Sequence, residues 1–290
     1  MRNKFRSFVR AYAQHYVHDC LSEDYTTIQL SDRLRKGARV MVIAFVNHKG
    51  GVGKTTTVLN TGTALALYHE KKILLVDIDP QANLTLHAGF FEEPEFSIYE
   101  VVEKRCTIEQ AIQHREPFDI LPSKLDLAAC EISFAGRTMR EQIIKKHLSA
   151  VKDRYDYILI DCPPSLGLLT INALFAADAL FVPMQTEFLA VKGFQRIAEV
   201  VEEVQEGNEN LRLSGVIATL YDKRQSGHND VLKFCQAEFG DVLLNTVIRN
   251  NTTLMAASME GQTIFEHDAK SRGAEDYQHL AKELLQRIQQ

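Results

Sequence analysis

Tryptophan is absent from this chain, only seven prolines occur in 290 residues, and the five cysteines are scattered without a single C-x-x-C pair. An odd set of isolated cysteines (Cys20, Cys106, Cys130, Cys162, Cys235) supplies neither a disulfide framework nor the ligand spacing of a zinc or iron–sulfur site. A reducing, cytoplasmic setting is the simplest expectation. No uncharged apolar run reaches the roughly 18 residues needed to cross a bilayer. The longest candidates are interrupted at Asp77 and Asp178, so no transmembrane segment is expected. With 45% hydrophobic residues, disorder and collagen-like structure are excluded as well. Positive charge is also scarce: the net charge is −5, and because the first forty residues hold eight Lys or Arg against four Asp or Glu, residues 41–290 carry −9. A chain that is basic throughout is thereby ruled out, and only a local basic face is left open.

What the sequence does contain is an alternation, from Val40 onward, of short β-branched runs with longer amphipathic stretches. The runs are apolar almost throughout, as strands buried on both faces must be. Strands are expected at Val40–Asn47, Lys72–Asp77, Phe118–Leu121, Tyr157–Asp161, Ala179–Pro183, Leu213–Thr219 and Val242–Val247, with helices at Lys54–Tyr68, Thr138–Lys152, Leu189–Glu206 and Val231–Phe239. Strand and helix repeated in this order imply an α/β fold, a doubly wound, mostly parallel sheet flanked by helices. Ligands of such sheets gather at the carboxyl ends of the strands. In Ala274–Ile288, one helical face carries Tyr277, Leu280, Ala281, Leu284 and Ile288. Its polar face mixes both charges instead of being basic, so packing on the sheet is expected over membrane contact.

Residues 41–290 read as a single domain and residues 1–40 as an extension of unassigned role. Phe5, Phe8, Val9, Tyr12 and Tyr16 fall at helical spacing among Arg2, Lys4, Arg6 and Arg10. That pattern fits a short basic amphipathic helix, a flexible tail or a targeting peptide. Met41, at the start of the first strand, also leaves open a native product that starts there.

The most informative stretch is Asn47-His48-Lys49-Gly50-Gly51-Val52-Gly53-Lys54-Thr55-Thr56-Thr57, placed after a strand and opening a helix. Its glycines permit a tight turn of inward-facing N–H groups, and the helix start adds partial positive charge, which together make an anion cradle. Lys54 is expected to hold β- and γ-phosphates, and Thr55 to give its hydroxyl to Mg²⁺. The usual G-x-x-x-x-G-K-[ST] pattern has glycine where this chain has His48, and Lys49 is an additional lysine. Two ammonium groups so close repel unless an anion lies between them. A polyphosphate is that anion. A merely glycine-rich surface turn would not need this flanking strand and helix.

Two later strands end in acid. In Leu75-Val76-Asp77-Ile78-Asp79-Pro80-Gln81-Ala82-Asn83, extended geometry puts Asp77 and Asp79 on one side. Both carboxylates are then expected to face the cradle, one near Mg²⁺ and one near an attacking water. Asp161, in Ile158-Leu159-Ile160-Asp161-Cys162-Pro163-Pro164-Ser165, ends an apolar strand where a P-loop enzyme keeps its metal-orienting carboxylate. Pro163-Pro164 stiffens a loop suited to reporting a γ-phosphate.

Taken together, Lys49 to Thr56, Asp77 to Asn83 and Asp161 to Ser165 make the chain resemble the ParA/MinD family of deviant P-loop ATPases from Met41 to the C-terminus. Asp79-Pro80-Gln81-Ala82-Asn83, Tyr221-Asp222 and Ser271-x-Gly-Ala274 resemble the Soj-like ParA branch, which partitions chromosomes, plasmids or other cargo. The resemblance implies ATP and Mg²⁺ as cofactors, the phosphate loop Lys49, Gly50, Gly51, Val52, Gly53, Lys54, Thr55 and Thr56 as the ATP site, and Thr55, Asp77 and Asp161 as the metal shell. It further implies an ATP-bound homodimer in which Lys49 reaches the phosphates of the other subunit, with Lys54 and Asp79 completing the catalytic set. Slow hydrolysis, stimulation by a ParB-like adaptor or cargo protein, and nonspecific binding to double-stranded DNA at the nucleoid belong to the same picture.

One departure bears on DNA. Family members commonly carry an Ile-Pro-Arg-Asn-x-Arg segment, and here Val247-Ile248-Arg249-Asn250-Asn251-Thr252-Thr253 lacks the proline and has Thr253 in the second arginine's place. Lys223, Arg224 and Arg249 are the tentative DNA contacts, since phosphate contacts require charge and reach, not fixed identity. Alternatives are a MinD-like or organelle-positioning ATPase acting on a membrane or protein scaffold, a reductase similar to nitrogenase iron protein, which the unpaired cysteines disfavour, and a nucleotide-dependent binding module that hardly turns over.

Overall fold

The computed structural model describes residues 40–186, 190–224 and 226–289, so the expectations for residues 1–39 lie outside the described residues. Along β1 (Met41–Phe45), Val42 and Ala44 enter one packed layer while Ile43 and Phe45 enter the other. Both faces are therefore buried, which is why the strand is apolar without a polar alternation. From there the chain runs through α1 (Lys54–His69), β2 (Ile73–Asp77), α2 (Asn83–His87), α3 (Ile98–Val102), α4 (Ile108–Ala111), β3 (Gln113–Arg115), β4 (Phe118–Leu121) and α5 (Cys130–Ala135). It continues through α6 (Ile143–Leu148), β5 (Tyr157–Asp161), α7 (Leu168–Ala176), β6 (Ala179–Gln185), α8 (Ala190–Gln205), β7 (Arg212–Tyr221) and α9 (Ser226–Phe239). The last elements are β8 (Leu243–Arg249), α10 (Thr252–Met259), α11 (Ile264–Asp268) and α12 (Arg272–Gln289).

The described strands form one sheet in the order β3-β4-β2-β5-β1-β6-β7-β8. Every neighbouring pair is parallel except β3 with β4. The doubly wound, mostly parallel sheet expected from the sequence is the architecture found. β3 was not expected: it is three residues long at the sheet edge and shows no period of its own. The helix expected at Thr138–Lys152 is shortened to α6, because Met139 adopts φ 53°, a left-handed conformation that no α-helix continues through. Asn172 of α7 bridges the break, donating to the Arg140 carbonyl at 2.8 Å and accepting from the Ile144 amide at 3.2 Å.

α12 places Tyr277, Leu280, Ala281 and Leu284 in the core layer shared with α1. Its apolar face is thus used in packing, as expected. Register brings the functional strand ends together, since Asp161 of β5 is the partner of both Phe45 on β1 and Asp77 on β2. The loop that follows β1 must pass directly over Asp161.

Candidate functional site

β1 lies between β5 and β6, and the chain leaving it forms the glycine-rich loop at this switch point. Gly51 and Gly53 have φ of +73° and +80°, which L side chains rarely adopt, so the reversal depends on glycine at these two positions. Three side-chain hydrogen bonds pin the loop. Asn47 Nδ2 donates to the Pro183 carbonyl at 2.7 Å, Asn47 Oδ1 accepts from the Lys49 amide at 2.9 Å, and Thr219 Oγ1 donates to the Val52 carbonyl at 2.7 Å. α1 then begins with no side-chain cap and no acid in its first turn. Its N–H groups and the positive end of its dipole are left for an outside anion.

The loop borders a cavity of about 450 Å³ whose wall includes Lys49, Lys54, Thr55, Thr56, Asp79 and Pro164. Beneath it, Lys54 Nζ lies 3.2 Å from Asp161 Oδ1, and Thr55 Oγ1 donates to Asp161 Oδ2 at 2.7 Å. The Lys54–Asp161 pair is buried. Burial by itself disfavours the ammonium, but the negative groups around it, Asp161 foremost and Asp79 with it, together outweigh burial and hold the Lys54 pKa above its ordinary value. A buried lysine kept charged at the mouth of an uncapped helix is a ready phosphate ligand. The Thr55 hydroxyl and Asp161 carboxylate, side by side, are hard oxygen donors of the type Mg²⁺ takes alongside phosphate oxygens and water. Among the described residues, no group of three or more His, Cys, Asp and Glu is arranged to hold a metal unaided. A metal here would rely on a phosphate ligand to complete its shell.

Asp79 lines the cavity, but Asp77 does not. Extended geometry put both carboxylates toward the loop, whereas the chain bends after β2 and α2 folds back over Asp77. Thr85 of α2 donates to Asp77 Oδ2 from its amide at 2.9 Å and its hydroxyl at 2.8 Å, and the Asp79 amide donates to Oδ1 at 3.1 Å. Burial, reinforced by the neighbouring Asp161 charge, pushes the Asp77 carboxyl up to about 7. Asp79 is also raised by burial, against the pull of Lys54. Asp77 therefore stands behind Asp161, shaping the Asp79 turn from inside.

Lys49 differs from Lys54 in every respect but charge. It is exposed, and its Nζ donates to Gln185 Oε1 at 3.0 Å on the β6 side of the loop. His48, in place of the usual glycine, packs on Gly193, where an added Cβ would come within 2.2 Å of its ring.

The tentative DNA contacts are not equivalent. Arg224 is 84% exposed and pairs with its neighbour Asp222 at 2.9 Å, while Lys223 is also exposed. Arg249 is drawn toward α12: its Nε donates to Asp276 at 2.8 Å and its Nη2 pairs with Glu275. Those two carboxylates push its pKa well above the ordinary arginine value. Arg249 is thus first a tie between β8 and α12, because Glu275 and Asp276 of α12 lie against it.

Several wall residues escape sequence reading. Thr219, Leu220, Ile248, Asn250, Asn251, Leu254 and Tyr277 close the far end of the cavity, and Tyr277 OH lies 3.4 Å from Thr57 Oγ1. They come from β7, β8, the β8–α10 connection, α10 and α12, more than 150 residues beyond the loop, and carry no shared motif. Thr85 had a faint local signal, as a hydroxyl residue two places after Asn83 at a helix start.

A family model described as AAA domain matches residues 40–213. The chain is 42% identical over 247 residues to the sporulation initiation inhibitor protein Soj of Bacillus subtilis, covering 84% of this chain and 97% of that protein. It is 38% identical over 252 residues to the chromosome partitioning protein ParA of Caulobacter vibrioides, covering 85% and 94%. Among solved structures, a cobyrinic acid a,c-diamide synthase of Mycobacterium smegmatis with bound ATP analog and magnesium superimposes with a TM-score of 0.75 at 34% identity, over 86% of this chain and 96% of that one.

Proposed function

The chain belongs to the ParA/Soj family of P-loop ATPases, and from that premise we propose that it is a nucleotide-driven switch that positions or partitions DNA or another cargo. ATP and Mg²⁺ are its cofactors. The observation that carries the reading is the convergence of Lys54 and Thr55 on Asp161 at the uncapped start of α1, beside a cavity walled by Asp79. Loop amides and Lys54 grip the β- and γ-phosphates. Bound Mg²⁺ neutralises part of the phosphate charge, with Thr55 and Asp161 holding its shell and Asp77 supporting Asp161 from behind. Asp79 orients the attacking water from the cavity wall. Lys49, exposed and hydrogen-bonded to Gln185, reaches the phosphates of a facing subunit, so that the ATP-bound form is a homodimer. Turnover is slow alone and rises with an adaptor on the cargo.

Nonspecific duplex binding by the ATP dimer rests on Lys223 and Arg224, with Arg249 lending its remaining donors. A protein scaffold is the second reading, favoured by the ion pairs that engage Arg249. A lipid surface is disfavoured at α12 because the apolar face of that helix is buried. The M. smegmatis structure is named for amide synthesis, but the relatives of higher identity are named for partitioning and sporulation. A gel shift on arbitrary duplex with ADP, ATP and a nonhydrolysable analogue, run beside size-exclusion chromatography, tests the switch. Dimer and shifted duplex are expected with ATP or the analogue only. A dimer without a shift favours the scaffold, and a monomer under all three conditions overturns the switch.

A further inference from the structure

Away from the nucleotide cavity, the ends of α3 and α6 and the turn after α5 enclose a second recess of about 760 Å³. Its wall carries Lys104, Arg137, Lys145, Lys146 and His147, and its floor includes Val102 and Ile143. Glu103 is the only acid on the wall, and it is already bound: Arg137 Nη2 donates to its Oε1 at 2.6 Å and Ser133 Oγ at 3.0 Å. Arg137 is further fixed by donating to the Val102 carbonyl at 2.8 Å. Once Glu103 cancels Arg137, three lysines are left over, and none has an ion-pair partner among the described residues.

These charges, though the lysines themselves are exposed, line one recess. Burial and the charges of Lys146, Lys104 and Arg137 together lower the His147 pKa, so cations from different elements act on one imidazole. Lysines in the last turn of α6 complement its dipole, which accounts for Lys145 and Lys146 but not for Lys104, which comes from the far wall after α3. The backbone is costly here as well. Lys104 and Met139 both line the recess at positive φ, 59° and 53°, and they are two of only five non-glycine residues in that region among the described residues. Such outliers persist where the surroundings hold them, often at ligand sites.

We propose that this recess is a second anion site, taking a small phosphorylated organic molecule. Its volume lies within the range of small-molecule pockets. The lysines act as point charges for phosphate oxygens, and Val102 and Ile143 offer apolar contact to the organic part. A duplex backbone is convex and would meet the rim, whereas a small anion can enter the recess lined by Lys104, Lys145 and Lys146.

Calorimetric titration of inorganic tripolyphosphate into the full chain tests this, with Lys145→Ala/Lys146→Ala, Lys104→Ala and Lys54→Ala variants compared. Two sites per chain are expected in the unaltered protein. Lys54→Ala should remove the nucleotide-loop site alone, whereas the other two variants should weaken the second site by about tenfold or more, the loss of one charged hydrogen bond, with ATP affinity unchanged. All three lysines of the recess are exposed, so circular dichroism should report unaltered folds. A single site lost in Lys54→Ala overturns the proposal while leaving the ATPase reading intact. A second site indifferent to Lys104, Lys145 and Lys146 overturns it too, as does a recess that takes a poly-glutamate peptide or a short duplex but not tripolyphosphate.

Discussion

Lys49 and Lys54 carry the same charge five positions apart, and their surroundings assign them different tasks. Lys54 is buried against Asp161, so removing it both strips the phosphate ligand and leaves a buried carboxylate unpaired. Lys54→Ala is expected to weaken ATP binding by about 100-fold or more. Lys49→Ala, at an exposed position, should leave monomer affinity within about threefold yet abolish the ATP dimer on size exclusion. Equal loss of affinity in the two variants would remove the cross-subunit role. Asp79 differs again, since it faces the cavity and makes one backbone contact, accepting from the Gln81 amide at 3.0 Å. Asp79→Ala should lower turnover by about 100-fold while the ATP dimer accumulates, and undiminished phosphate release would exclude it from the chemistry.

α1 presents the phosphate loop only because it lies close on the sheet. A Cβ at Gly62 would approach Leu75 Cδ2 to 2.6 Å and Ile73 Cγ2 to 3.4 Å, both in the core. Gly62→Ala should therefore cost about 1–3 kcal/mol by overpacking, read by urea denaturation, despite the better helix propensity of alanine. α3 depends on its first turn. Ser97 donates to Glu100 from its amide at 2.9 Å and its hydroxyl at 2.8 Å, and Lys124 Nζ lies 2.7 Å from the same carboxylate. Burial works against ionisation of Glu100, but Lys124 and Ser97 outweigh it and hold its pKa below the ordinary value. That stabilisation is complete above the ordinary glutamate pKa and is lost as pH falls through the depressed one. Glu100→Gln should flatten the acid side of the stability–pH curve and cost about 1–3 kcal/mol at neutral pH; an unchanged acid limb would show that the pair contributes nothing.

The entire sheet converges on one charged point. Asp77 and Asp161 are register partners at the carboxyl ends of β2 and β5, with Asp79 just beyond, so Lys54 faces two carboxylates, Asp161 and Asp79, and a third stands behind Asp161. A bound cation with its phosphates relieves that crowding. Saturating MgATP should raise the unfolding midpoint, with about 2.7 kcal/mol gained at a ligand concentration 100 times Kd. EDTA should abolish most of that gain. The same midpoint with and without MgATP would show that the folded chain does not bind it.

Seven of the eight described strands, the glycine loop, Asp79, Asp161 and the packing of α12 were legible in order along the chain, because each depends on spacing within one segment: period two, period 3.6, or a turn that requires glycine. Gln185, Thr219 and Tyr277 were not, because each acquires its partner only when segments far apart in sequence pack together, and Thr85 was faint because Asp77, eight residues earlier, meets it only once α2 folds back. The same holds for Asp77, turned inward by α2, for Arg249, claimed by two acids of α12, and for the recess around Lys104 and Lys146. Local sterics are written in neighbouring residues. Which charge meets which across the molecule is settled by sheet order and by where each helix finally packs.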